Sequence, residues 1–303
     1  MFVYMRINRK IYNIFHPVVG TILMLHRVVN DRSKITPNRD IEITPTFLEE
    51  TILKYKQADY CFVSLDDAYD IISGKKKSKK KFICITFDDG YLDNFEIAYP
   101  ILKKHNCPFV IYITNDFVEH KAFLWWYVLE DILLRHDKIL LSNGTVYNTQ
   151  SLTEKNNAFD EIHKVLRPLP PALLKKTFDE LFRGYDFSTE RKVKELSMNE
   201  KQMKVLSGDE LCTIGSHTIS HPALDNLCKD EQEQEMKQSK KKLEQITGKP
   251  VLHFAYPYGC YNRDSTEVAK ECGFHTAVMA WGGNVRKGDD MFQLKRVILK
   301  ESL

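Results

Sequence analysis

Phe82-Ile83-Cys84-Ile85-Thr86-Phe87-Asp88-Asp89-Gly90 is the stretch on which the reading of this chain turns. Residues 82–87 make a short, continuous apolar run, the pattern of a buried strand. The run ends abruptly in two adjacent carboxylates and a glycine. Two acids at a buried strand end are costly unless something compensates their charge. Taken alone, Asp-Asp-Gly reads as a turn or a cap before the helical pattern that starts at Asn94.

Far downstream, His217-Thr218-Ile219-Ser220-His221 follows another short apolar strand. Read as a helical turn, two histidines four residues apart share one face. Taken alone they read as polar residues capping a helix, with Pro222 in its first turn. Together with the carboxylates they offer more. One acid and two imidazoles make a three-ligand site with open positions, the arrangement of a hydrolytic metal centre.

Working outward, strand-like and helix-like patterns alternate, which predicts an α/β fold with parallel strands. The strands are expected at 21–25, 61–64, 82–87, 108–114, 212–216, 251–255, 276–279 and 293–297. Helices are expected at 46–55, 94–105, 230–246 and 265–272. The rhythm breaks at 117–196, where no strand of this kind is visible. An apolar helical stripe opens at Leu124-Trp125-Trp126 and runs to Leu140, and further helical patterns follow at 156–166 and 171–182. This reads as a helical insertion in a single domain spanning 1–303, and such insertions often cover an active site. Trp125 and Trp126 read as core at helical spacing, with a sugar platform as the alternative.

Composition excludes several classes. The balance of 44 basic and 41 acidic residues leaves +3, so no nucleic-acid partner is expected. The 7 cysteines are scattered without a CxxC pair, which reads as a reduced compartment rather than a disulfide framework. No stretch is long and apolar enough to span a bilayer, and residues 1–17 lack the features of a signal peptide. That segment reads as a surface helix, with a membrane-surface anchor as the alternative. The expected location is therefore cytoplasmic, with peripheral contact at the inner face of the membrane. Lys75-Lys76-Lys77-Ser78-Lys79-Lys80-Lys81 reads as a solvated loop; contact with an anionic lipid or glycan phosphate is the sharper alternative.

Three motifs, in order, carry a resemblance: Thr86-Phe87-Asp88-Asp89-Gly90, His217-Thr218-Ile219-Ser220-His221-Pro222 and Phe254-Ala255-Tyr256-Pro257-Tyr258-Gly259. They resemble the successive motifs of the polysaccharide deacetylase family, the NodB-homology domain. Met24-Leu25-His26-Arg27-Val28 is similar to the opening strand of its poly-N-acetylglucosamine deacetylase branch. The resemblance implies a distorted (β/α) barrel with the site at the carboxyl ends of the strands. It implies removal of acetyl groups from N-acetylated sugars of a glycan or glycolipid, with a divalent metal, commonly zinc.

On this reading Asp89, His217 and His221 hold the metal and Asp88 is the base that takes a proton from water. The resemblance assigns an oxyanion-stabilising backbone N–H to Tyr258. Tyr256 and Tyr258 are expected to stack on a sugar ring. The chain departs from the family in two places. Ala255 stands where many members have an arginine, and Arg296 on the last strand is the candidate to supply that charge. The late histidine that serves as acid is absent, and His26 is the candidate in its place. His253 and His275 read as structural. These departures leave a catalytically silent glycan-binding protein as one alternative, and an O-acetyl esterase as another.

Overall fold

The computed structural model describes residues 16–302. The surface helix expected over residues 1–17 falls outside them, apart from its last two residues, which are not helical. Seven strands carry the site: β1 (Val18–Leu25), β2 (Phe82–Asp89), β3 (Phe109–Ile113), β4 (Cys212–Ser216), β5 (His253–Ala255), β6 (Thr276–Gly282) and β7 (Leu294–Ile298). Each pairs in parallel with the next, and β1 pairs with both β2 and β7, so the ring closes. The expected (β/α) barrel is the fold found. It is distorted where β5 is only three residues long and where the β6–β7 register shifts between Val278 and Gly282. Outside the ring, the short strand Cys61–Phe62 pairs with the first two residues of β2.

The side-chain alternation of a strand explains how the site is loaded. All eight residues of β2 are buried. Ile83, Ile85 and Phe87 belong to the cluster between barrel and helices, whereas Phe82 and Cys84 belong to a second cluster with Ile22, Val110 and Leu294. The same alternation aims Thr86 and Asp88 into the barrel mouth. Space inside is made by glycine. A Cβ on Gly20 would lie 2.4 Å from the Phe82 ring, and one on Gly215 would lie 2.4 Å from the Tyr112 ring. Small residues facing large ones let a narrow barrel fill without voids.

The helices match their sequence patterns. Thr44 and Pro45 open Pro45–Gln57, and Gly248 in the left-handed region closes Lys229–Thr247. The segment between β3 and β4 has a core of its own, built on α1 (Trp125–Arg135) and α2 (Leu152–Leu166), with Trp125, Leu129, Phe159 and Phe178 inside. One expectation there is corrected. The apolar stripe does not remain helical to Leu140. Helix α1 ends at Arg135, and Lys138–Leu140 pairs antiparallel with Val146–Asn148. Asn143-Gly144 makes the turn, with Gly144 at φ 88, a conformation glycine adopts without penalty.

Candidate metal centre

Asp88 and Asp89 end β2, and the loop 217–221 leaves β4, one strand away across β3. The histidines do not sit on a helical turn, contrary to the expectation from their spacing. No helix lies between Ser216 and Leu224, and Thr218 and His221 have φ values of 69 and 61. A kinked loop brings the rings together instead, with centroids 4.9 Å apart. Asp89 is itself at φ 78 and Tyr258 at φ 56. Left-handed backbone at non-glycine residues costs about 1–3 kcal/mol each and persists where surrounding structure enforces it.

The enforcement is visible in the loop's hydrogen bonds. The His217 N–H donates to the Ile113 carbonyl (2.9 Å), and the Asn115 and Asp116 N–H groups donate to the Thr218 and Ile219 carbonyls. The His221 N–H donates to Thr218 Oγ1 (3.0 Å). From the far side, Glu235 of α3 (Lys229–Thr247) accepts three bonds: from the N–H groups of Ile219 (2.8 Å) and Ser220 (3.1 Å), and from the Ser220 hydroxyl (2.8 Å).

Asp89, His217 and His221 converge, with their ligand atoms within 4.8 Å of one another. Asp89 Oδ1 lies 3.3 Å from His221 Nε2 and 3.5 Å from His217 Nε2, and it has no hydrogen-bond partner among the described residues. Two ligands held about 2.0–2.1 Å from one tetrahedral zinc are separated by roughly 3.4 Å, so these spacings suit ligands of a shared ion. The protonation pattern agrees. His217 Nδ1 lies 2.8 Å from the Ala255 carbonyl, which can only accept, so the ring donates there and its Nε2 presents a lone pair to Asp89. A lone pair facing a carboxylate oxygen is repulsive without a cation between them. Burial also drives His217 down to about 4, against the pull of Asp88 and Asp89, so the ring is neutral as a ligand must be. For Asp89, burial favours the neutral acid, but the facing His221 imidazole outweighs it and holds the carboxyl well below its usual range.

Asp88 points the other way, into the barrel, and meets Arg296 of β7. The guanidinium donates in parallel to both carboxylate oxygens, NH1 to Oδ1 and NH2 to Oδ2, each at 2.7 Å. Its remaining donors reach Thr86 Oγ1 (3.0 Å) and the Met279 carbonyl (2.6 Å). Asp88 is 3% exposed and Arg296 1%. Burial raises the Asp88 carboxyl, and Arg296 more than reverses this, holding it below the usual range. Arg296 of β7 thus supplies a charge to the acid, where β5 carries only Ala255.

Tyr258 follows Pro257 in a single tight turn, with its ring centroid 4.4 Å from that of His221. His26 follows β1 and is half-buried in the same cleft. Tyr256 corrects an expectation. It is 1% exposed, stacks on Tyr261 at 4.7 Å and donates its hydroxyl to the Phe292 carbonyl, so its ring offers no face to a sugar. His253 sits at the start of β5, bonded to Thr276 and Asp66, away from the site. Trp125 is packed in the insertion core, as its spacing suggested, and both tryptophans also line the cleft. The cleft over the carboxylates has a volume of about 300 Å³ and adjoins a second lobe of about 240 Å³. Two contributors escaped the sequence reading, the Ala255 carbonyl and Glu235; neither carries a sequence signal of its own.

A closed parallel barrel with an Asp-His-His cluster and a second carboxylate at the strand ends defines a class. The profile of the polysaccharide deacetylase family matches residues 75–277, and the chain belongs to that family. YxkH of Bacillus subtilis, named for the same family, is 23% identical over 281 residues, which span 93% of this chain and 71% of that protein. Among solved structures, the Streptococcus pyogenes deacetylase PplD, in complex with acetate, superposes with a TM-score of 0.65 at 21% identity, covering 94% of this chain and 93% of that one. IcaB from Ammonifex degensii gives 0.62 at 19% identity, covering 93% and 92%. These structural likenesses establish the shared fold.

Proposed function

We propose that this protein hydrolyses the acetamido group of N-acetylated sugars in a glycan or glycolipid, with a divalent metal, zinc, held by Asp89, His217 and His221. The observation that carries the reading is the partnerless Asp89 oxygen facing two imidazole nitrogens at 3.3 and 3.5 Å, beside a separate carboxylate already oriented by an arginine. The ion supplies Lewis acidity toward the acyl oxygen and makes water more acidic.

The chain's own residues do the rest. Asp88, kept ionised and fixed in direction by Arg296, takes the proton of the attacking water. The Tyr258 backbone N–H stabilises the negative charge that develops on the acyl oxygen as carbon–oxygen bonding proceeds. The carbon–nitrogen bond then breaks, and the departing amine needs a proton. We assign that role to His26, which lines the same cleft. The insertion walls the cleft with Trp125 and Trp126 and restricts water around the reacting group.

The test is acetate release from N-acetylglucosamine oligomers, with and without a chelator. We expect release that stops on chelation and returns with zinc. Release that is indifferent to the chelator overturns the metal assignment. Failure to release acetate from any N-acetylated sugar, with ready hydrolysis of an O-acetyl ester, moves the activity to esters.

A further inference from the structure

The two lobes of the cleft meet at a wall formed by Trp125, Trp126, His221, Tyr258 and Arg167, all of which line both. Arg167 is the cation on that wall. It caps the C-terminal end of α2, so the insertion delivers it, and its guanidinium carbon lies 5.2 Å from the centre of the Tyr258 ring. The same ring lies 4.4 Å from His221. Only one aromatic ring therefore separates a permanently charged fork from the candidate metal centre.

The neighbouring charges set Arg167 apart. Lys121 and Lys175 also face the second lobe, but Glu119 holds the first at 2.6 Å and Asp179 the second at 2.7 Å. Asp116 is the acid of that lobe. Among the described residues Arg167 is in no ion pair; it lies over the Tyr258 ring and makes a distant approach to the Cys260 sulfur. A guanidinium is weakly hydrated and presents several donors in a rigid plane that fits a carboxylate or phosphate in bidentate fashion, and stacking on an aromatic face leaves its edge free. Here the face is occupied and the edge lies at the junction of the two lobes.

We propose that Arg167 is a specificity residue for an anionic group, a phosphate or a carboxylate, carried on the acetamido sugar or on its immediate neighbour. This rests on the deacetylase reading of the metal centre and names the class of substrate it takes. The acetamido group occupies the lobe over Asp88 and Asp89, and the anion reaches the junction and pairs with Arg167. The preference is therefore for acidic glycans or sugar phosphates over neutral chitin-like oligomers.

The experiment compares three probes: neutral tri-N-acetylchitotriose, N-acetylglucosamine 1-phosphate, and a hyaluronan tetrasaccharide, in which a uronate flanks each acetamido sugar. Acetate release is measured with wild type, Arg167→Ala and Arg167→Lys. The expected result is a kcat/KM at least tenfold higher on one anionic probe than on chitotriose, expressed mainly in KM. The probe that shows it separates phosphate from carboxylate. Arg167→Ala removes the preference, lowering kcat/KM on the anionic probe at least fivefold more than on chitotriose, and Arg167→Lys restores part of it. Equal loss on neutral and anionic probes, or a wild-type preference for chitotriose, overturns the proposal.

Calorimetric binding of the same probes to Asp88→Asn, with and without Arg167→Ala, separates this inference from the catalytic one. Arg167-dependent binding of an anionic probe without any turnover in wild type rejects the deacetylase reading and keeps the anion site. Binding that ignores Arg167, or no binding of either anionic probe, rejects the anion site.

Discussion

Replacing Glu235 with alanine removes the outer clamp of the histidine loop without touching a residue of the metal cluster. Three donors, the Ile219 and Ser220 N–H groups and the Ser220 hydroxyl, lose their acceptor. Hydrogen bonds to a charged group contribute about 1.5–3 kcal/mol each when well shielded. Glu235 is half-buried, so water replaces part of each bond, and we take about 1 kcal/mol apiece. The loop also carries left-handed backbone at Thr218 and His221, strain that the clamp opposes. Losing about 2–3 kcal/mol of loop restraint frees His221 to leave Asp89, which corresponds to roughly a 30- to 150-fold weaker metal affinity. That is near the range known for groups that orient metal ligands.

The assay is competition for zinc against a chromophoric chelator, with thermal unfolding of the metal-free protein as the control for folding. Glu235→Gln separates positioning from charge. Its amide oxygen still accepts both N–H groups and its NH2 can donate to Ser220 Oγ, so affinity should return to within a few-fold of wild type. Zinc affinity in Glu235→Ala within threefold of wild type, with an intact fold, would refute the reasoning.

Arg296→Met leaves the Asp88 carboxylate buried without its partner and should cost about 3–5 kcal/mol in urea unfolding. Adding Asp88→Asn should recover most of that loss, and a double variant no more stable than the single one contradicts a charge origin. Asp116→Asn acts in the opposite direction. Burial, reinforced by Glu119 and Glu235, pushes the Asp116 carboxyl up to about 6 from an ordinary 3.8. The folded protein therefore binds this proton more tightly than the unfolded chain, and stability falls as pH rises from about 4 to about 6. Because the group is partly exposed, the stabilisation from Asp116→Asn should be on the order of 1 kcal/mol at pH 8 and absent at pH 4. Equal effects at both pH values exclude titration as the cause.

What the sequence disclosed follows the physics of each signal. The β2 run is apolar on both faces because the strand is buried on both, so its place in a parallel sheet was readable, as was the abrupt polar end. The histidine pair was found by spacing but given the wrong backbone. Residues four apart can meet on a helix or across a kinked loop, and nothing local in Thr218-Ile219-Ser220 announces the positive φ values. Tyr256 was expected to stack on a sugar ring, yet its exposure depends on Tyr261 and Phe292, which only the folded chain brings near. The hairpin at Asn143-Gly144 did carry its signal, and the longer apolar stripe before it drew the reading toward helix. Arg296 was reached only as a compensating charge, since 208 residues separate it from Asp88. Glu235 stands among other acids on a polar helix, and only the packing of α3 on the loop distinguishes it.

Zinc stoichiometry across paired carboxylate variants tests the central claim most directly. The account predicts one tightly bound zinc per chain in wild type and in Asp88→Asn, and none in Asp89→Asn, although the two residues are neighbours of the same chemical type. Tight stoichiometric zinc in Asp89→Asn, or its loss in Asp88→Asn alone, would contradict it.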